Sequence, residues 1–245
     1  MSREFTAANS DGINIGRIAS TESTQNFSAS FWVYRPTSTT VMIASKGDSF
    51  SNELAFYWHT DGTFFLQIRV GSHGWNLYKA LDIPYAQWTH YFIVYDGTQA
   101  TPADRYALYI DKVFVSPVGT VGTLHGTTPS FTTDWSVGFR DANNSYGSGT
   151  FSQIKFWSNS LSINDAKSDY TGITPSRNTL VSWHPFGYAS PEPEYSGQGE
   201  NGTVTGTPSV EDGPPITMSF GADEQIIYTI VEGAAGSPFY AYMQQ

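Results

Sequence analysis

Glycoside hydrolysis needs two carboxylates held at a fixed separation across the scissile bond. The nearest such pair here is Glu192 and Glu194, and the flanking Pro191 and Pro193 break any strand ladder that could hold them. No Glu-x-Asp-x-x-Glu run points alternate carboxylates from one strand into a cleft. The five histidines, His59, His73, His90, His125 and His184, form no i, i+2 or i, i+4 pair of the kind that grips a metal. His90 and His184 stand inside strand patterns beside aromatics and read as packed structural residues. No Gly-x-Ser-x-Gly turn presents a nucleophilic serine. There is no cysteine, hence neither a thiolate nor a disulfide. These absences point away from an enzyme.

Binding chemistry has more to work with. Calcium takes six to eight oxygens from carboxylates, amides and carbonyls. Asn9 with Asp11 forms one candidate set, and Asp141 with Asn143, in the loop 141–145, forms another. The same residue types also serve tight turns without any metal. Sugar binding stacks an aromatic ring on the apolar face of a pyranose, with amides or acids on the hydroxyls. Trp75 and Asn76, in the turn-rich stretch 71–76, together with Trp135 and Tyr146, are candidates for that role. Trp32, Trp88, Trp157 and Trp183 lie in strand patterns and read as core.

The elements that must position these groups are strands. Aromatic residues make up 16% of the 245-residue chain and charged residues only 14%, with 23 Gly and 13 Pro, which favours many short strands joined by turns. In 27–34, Phe27, Ala29, Phe31 and Val33 share one face, while Ser28, Ser30, Trp32 and Tyr34 take the other. Segments 54–59 and 63–70 flank Asp61-Gly62, a hairpin signal. Segment 88–95 is apolar on both faces, as a covered central strand requires. Further strands are predicted at 105–111, 113–118, 136–139, 150–157, 180–186 and 202–207. At least ten strands exceed one flat sheet and imply two stacked ones. One helix is predicted, opened by Ser162 with Asp165 three residues on and closed near Gly172.

Asp212-Gly213-Pro214-Pro215 is a stiff break. It divides the chain into a domain at 1–213 and a C-terminal arm at 214–245. In the arm Ile226, Tyr228 and Ile230 alternate with Ile227, Thr229 and Val231, and Phe239 and Tyr240 follow near the end. The net charge of −10 repels phosphate and argues against a nucleic-acid partner. No apolar run reaches the ~20 residues of a membrane helix, so insertion is not expected. Met1-Ser2-Arg3-Glu4-Phe5 has no apolar leader core.

Several blocks resemble the concanavalin A-like, laminin-G-like jelly rolls. They are Phe31-Trp32-Val33-Tyr34-Arg35-Pro36 with Ile43-Ala44-Ser45-Lys46-Gly47-Asp48, and Gln87-Trp88-Thr89-His90-Tyr91 with Val94-Tyr95-Asp96-Gly97-Thr98. Leu108-Tyr109-Ile110-Asp111, Ile154-Lys155-Phe156-Trp157, Leu180-Val181-Ser182-Trp183 and residues 195–203 continue in the same order. The resemblance covers roughly residues 3–210. It implies an all-β, two-sheet antiparallel sandwich with a short connector helix. Lys112 stands where the family usually has Gly, and Ser152-Gln153 where it has acids, which weakens an inherited calcium site.

Two functions follow as expectations. The first is a virion component, a capsid decoration or tail-associated protein of a phage, that forms homo-oligomers or joins other structural subunits through its arm. The bare start at Met1, without a leader, is what suggests it. The second is a lectin-like module, calcium-assisted or not, that binds glycans at an extracellular or cell surface.

Overall fold

The computed structural model describes residues 1–37, 40–49, 52–71, 74–79, 85–140, 145–187 and 190–215. The strands run in chain order as β1 (Ser2–Phe5), β2 (Gly12–Asn14), β3 (Asn26–Tyr34), β4 (Val41–Ser49), β5 (Asn52–Trp58) and β6 (Thr63–Val70). Then come β7 (Gly74–Lys79), β8 (Trp88–Asp96), β9 (Tyr106–Ile110), β10 (Val113–Val115), β11 (Gly119–Gly122) and β12 (Ser136–Val137). The remainder are β13 (Phe139–Arg140), β14 (Ser145–Tyr146), β15 (Gly149–Trp157), helix α1 (Ile163–Tyr170), β16 (Leu180–His184), β17 (Thr203–Thr205) and β18 (Ser209–Glu211).

Two antiparallel sheets form the predicted sandwich. The first has the order β10-β9-β8-β3-β15-β1-β18, with β16 also paired to β15. The second has the order β11-β7-β6-β5-β4-β12-β2-β17. Phe27, Ala29, Phe31 and Val33 of β3 enter the core as their alternation requires. Phe31 stacks on Tyr91 from β8 and on Phe56 from the facing sheet, with ring centroids 5.4 and 6.2 Å apart. Each such side chain removed from water contributes about 1.5–3 kcal/mol.

The predicted strand at 136–139 does not run through. Gly138 takes φ +82°, and a Cβ there would meet Phe5 at 2.3 Å. The chain therefore turns out of the second sheet, and Phe139–Arg140 pairs instead with Ser145–Tyr146. The Asp111-Lys112 turn keeps the left-handed geometry that the family's Gly would favour, with φ 46° and 65°. Gln153 also has positive φ, at 56°, and sits where β15 shifts register against β3. There it is a bulge residue whose amide oxygen accepts from Trp183 Nε1.

Helix α1 is the predicted one. Ser162 and Asp165 form a reciprocal capping box at its start. The helix lies on the outer face of the first sheet, over Phe92, Val94 and Trp157. Buried Asp169 holds it down, accepting from Lys155 Nζ at 2.6 Å and lying 3.0 Å from His90 Nε2. The Lys155 charge and the His90 contact hold the Asp169 carboxyl far below the usual range, against the opposing effect of burial. His90 is thus structural, as the strand pattern implied. His184 is fully buried as well.

Candidate functional site

Two of the residues singled out for binding, Trp135 and Asp11, are taken up by the core and by backbone contacts. Trp135 is fully buried, 5.6 Å from Phe56 and 4.7 Å from Phe156, with Nε1 donating to Thr21 Oγ1. It is a core residue and cannot touch a ligand, because the core demands the flat apolar surface that made it look available for stacking. Asp11 is also buried, and its oxygens are engaged: Oδ2 accepts from the Thr6 N–H and Oδ1 from the Thr207 N–H. It ties the β1–β2 connection to the segment after β17. Gly206 approaches so closely that a Cβ would lie 2.3 Å from Asp11 Oδ1. Asn9 is exposed on the adjoining short turn. Among the described residues, no group of three or more His, Asp or Glu side chains converges as a metal site.

Trp75 and Asn76, expected in a turn, belong to β7, in register with Gln67 and Leu66 of β6. Their side chains, like Asp141 and Asn143, lie outside the described residues, as do the arm residues Ile226, Tyr228, Ile230, Phe239 and Tyr240. Tyr146 is half-buried on β14, its ring stacked 5.5 Å from Phe139. Glu192 and Glu194 form no catalytic pair. Glu192 is buried against Arg3, and Glu194 accepts backbone N–H groups of Trp183, Ser196 and Gly197.

The outer face of the second sheet carries aromatics and charge, but they satisfy one another. Tyr57 and Phe65 stack at 4.7 Å with ring planes 2° apart. Beside them, buried Glu53 accepts from Arg140 and, at 2.5 Å, from Gln67. This is a structural clamp with its hydrogen-bonding capacity in use.

A different constellation faces solvent. On the outer face of the first sheet, beyond the end of α1, cross-strand pairing places Ser209, Glu4, Thr150, Tyr34 and Trp88 in one row across five strands. Directly opposed residues share a face, so the row is one surface. Its floor is a depression of about 570 Å³ lined by Met1, Glu4, Tyr34, Trp88, Thr150, Val210, Glu211 and Asp212. That volume suits a small ligand. Tyr34 and Trp88 are half-buried, with ring centroids 5.8 Å apart and planes inclined at 57°. Two apolar ring faces thus stand beside three exposed carboxylates, those of Glu4, Glu211 and Asp212. Ser209 Oγ donates to Glu4 Oε2 and lies 2.9 Å from Glu211 Oε1. Among the described residues, no ion pair joins any of the three acids.

The strand pattern puts Trp88 in the core, but it is the first residue of β8 and only half-buried among the described residues. Tyr34 is the last residue of β3 and lies on the non-core side of its alternation. That signal was legible in the sequence. The contribution of Glu211 and Asp212, more than a hundred residues beyond Trp88 in sequence, was not.

Solved structures that share the fold include the following three. The heptameric SAP-like pentraxin of Limulus polyphemus is 15% identical, with a TM-score of 0.52 over 83% of this chain and 92% of that one. A protein of Bacteroides ovatus, provisionally named as carbohydrate binding, is 14% identical, with a TM-score of 0.61 over 89% of this chain and 61% of that one. The enzymatically active domain of tailspike protein 2 from bacteriophage CBA120 is 14% identical, with a TM-score of 0.53 over 74% of this chain and 29% of that one. The chain therefore spans about three fifths of the Bacteroides protein and under a third of the tailspike domain. Comparison with curated proteins gives no match. The family model that matches covers residues 7–166, well over half of the chain, and with the two-sheet sandwich it shows that the chain belongs to the concanavalin A-like lectin/glucanase superfamily.

Proposed function

We propose that the protein is a non-catalytic glycan-binding module that takes sugar in the Tyr34–Trp88 depression. The observation that carries this reading is the row itself: two half-buried rings beside hydroxyl-binding carboxylates in a ligand-sized depression. A pyranose stacked on Trp88 would turn its hydroxyls toward Glu4, Thr150 and Glu211. Glycoside hydrolysis would need one acid kept protonated by an apolar, water-poor surrounding. Glu4, Glu211 and Asp212 are all exposed, which supports binding without cleavage.

The test is a glycan array with wild-type protein and Trp88→Ala, followed by titration of the best ligand. Trp88→Ala should weaken binding about tenfold, equivalent to ~1.4 kcal/mol, with no reducing ends released by either protein. Unchanged binding by Trp88→Ala would remove the depression as the site, and released reducing ends would overturn the non-catalytic reading.

A second reading concerns where such a module works. The alternation of Ile226, Tyr228 and Ile230 past the family match supports an arm that docks on neighbouring copies or on another structural protein, as on a virus particle. Light scattering of the full chain beside a version ending at Gly213 tests it. A defined oligomer formed only by the full chain is the expected result, and monomers from both would remove self-assembly through the arm.

A further inference from the structure

We infer that the ligand of this depression carries positive charge, and that it is an amino sugar with a free, protonated amine rather than a neutral or acidic glycan. The inference rests on the glycan-binding reading above and narrows it. Among the described residues, the lining holds Glu4, Glu211 and Asp212 and no Lys, Arg or His side chain. Even with an α-amino group on Met1, negative charge remains in excess. Glu4 and Glu211 share one neutral partner, the Ser209 hydroxyl, so their charge is left to solvent or to a ligand.

Carboxylates are acceptors only, and a site that offers three of them is best filled by donors. A neutral sugar satisfies them through hydroxyls. An ammonium group satisfies them through charge-assisted bonds, roughly twice as strong. The rings work the same way. The electron-rich faces of Trp88 and Tyr34 attract a cation placed over them, Trp most strongly. A sialylated or sulfated glycan meets the reverse field and is repelled, the more so with a net charge of −10 on the whole chain.

The chain's own tail does not supply the cation. The 30 residues that follow Pro215 contain no Lys, Arg or His. They do contain Asp223, Glu224 and Glu232. An external ligand is the occupant whose charge fits.

Calorimetric titration of the full chain tests this with three oligosaccharides of equal length: glucosamine, N-acetylglucosamine and an acidic uronic-acid oligomer. A lysine-rich peptide forms a fourth arm. All are run at a pH where the sugar amine is protonated. The glucosamine oligomer should bind at least about tenfold tighter than its acetylated form, with affinity falling as salt rises. The acidic oligomer should not bind. The double variant Glu211→Gln with Asp212→Asn changes only exposed side chains, keeps the ring pair, and should erase the preference for the free-amine oligomer over its acetylated form. Equal affinity for the acetylated and free-amine oligomers would overturn the charge inference and leave glycan binding standing. No sugar binding at all would overturn both. Tight binding of the peptide without the sugars would assign the depression to a basic protein segment and overturn the amino-sugar assignment.

Discussion

His184 makes acid the weak point of this fold. It is fully buried on β16, and neither ring nitrogen finds a hydrogen-bond partner among the described residues. Burial pushes its pKa down from 6.5 to about 4, only partly opposed by nearby Glu194. The unfolded chain therefore binds a proton between these values that the folded chain refuses. Stability contributed by the neutral ring is present above the unfolded pKa and drains away as pH falls, levelling off below about 4. A drop of this size corresponds to about 3 kcal/mol in full, and to about 2.5 kcal/mol by pH ~4.5. Leucine at this position fills similar space without titrating. His184→Leu should also gain about 1 kcal/mol at neutral pH, because two unpartnered nitrogens leave the interior. Urea unfolding of both proteins, in steps from about pH 7 to about pH 4.5, reads the difference directly. Other acid-sensitive groups, Asp169 among them, act equally in both proteins and cancel. The stability gap should widen by about 2.5 kcal/mol across that range. Parallel curves would refute the argument, because they would mean that His184 gains a proton in the folded state as easily as in the unfolded one.

The buried contacts give further expectations. Asp169→Asn leaves the Lys155 ammonium buried without its counter-charge and should cost about 3–5 kcal/mol, measured by urea unfolding. Its effect should fade in acid, since the carboxylate's contribution exists above the unfolded pKa and is lost as pH falls. Trp135→Ala should destabilise by about 3–5 kcal/mol, with the sugar affinity of the folded fraction unchanged, separating core from site. Asp11→Ala frees two backbone N–H groups and should cost about 1–3 kcal/mol equally with calcium and with chelator, as thermal unfolding would show. Loss of the penalty in chelator would restore Asp11 as a metal ligand. Gly138→Ala forces a Cβ into Phe5 at positive φ and should lower the folded yield and the melting temperature together.

What the sequence determined by itself is local. Alternation in 27–34 sets which face of β3 is buried, because successive side chains point to opposite sides of a strand. Asp61-Gly62 marks its hairpin, and Ser162 with Asp165 starts the helix, because turns and caps are made by neighbours in the chain. Tertiary structure decided everything that depends on pairing. It split 136–139 at Gly138 because Phe5, arriving from β1, leaves no room for a side chain. It spent Asp11 on two backbone donors, one of them at Thr207, and buried Trp135 between the sheets. It also built the depression from Glu4, Thr150, Tyr34, Trp88 and Glu211, which share a face only once β18, β1, β15, β3 and β8 lie side by side in register. Period-two patterning fixes the face a residue takes on its own strand, but register between distant strands is set by the whole core, so a site assembled across five strands has no local signature.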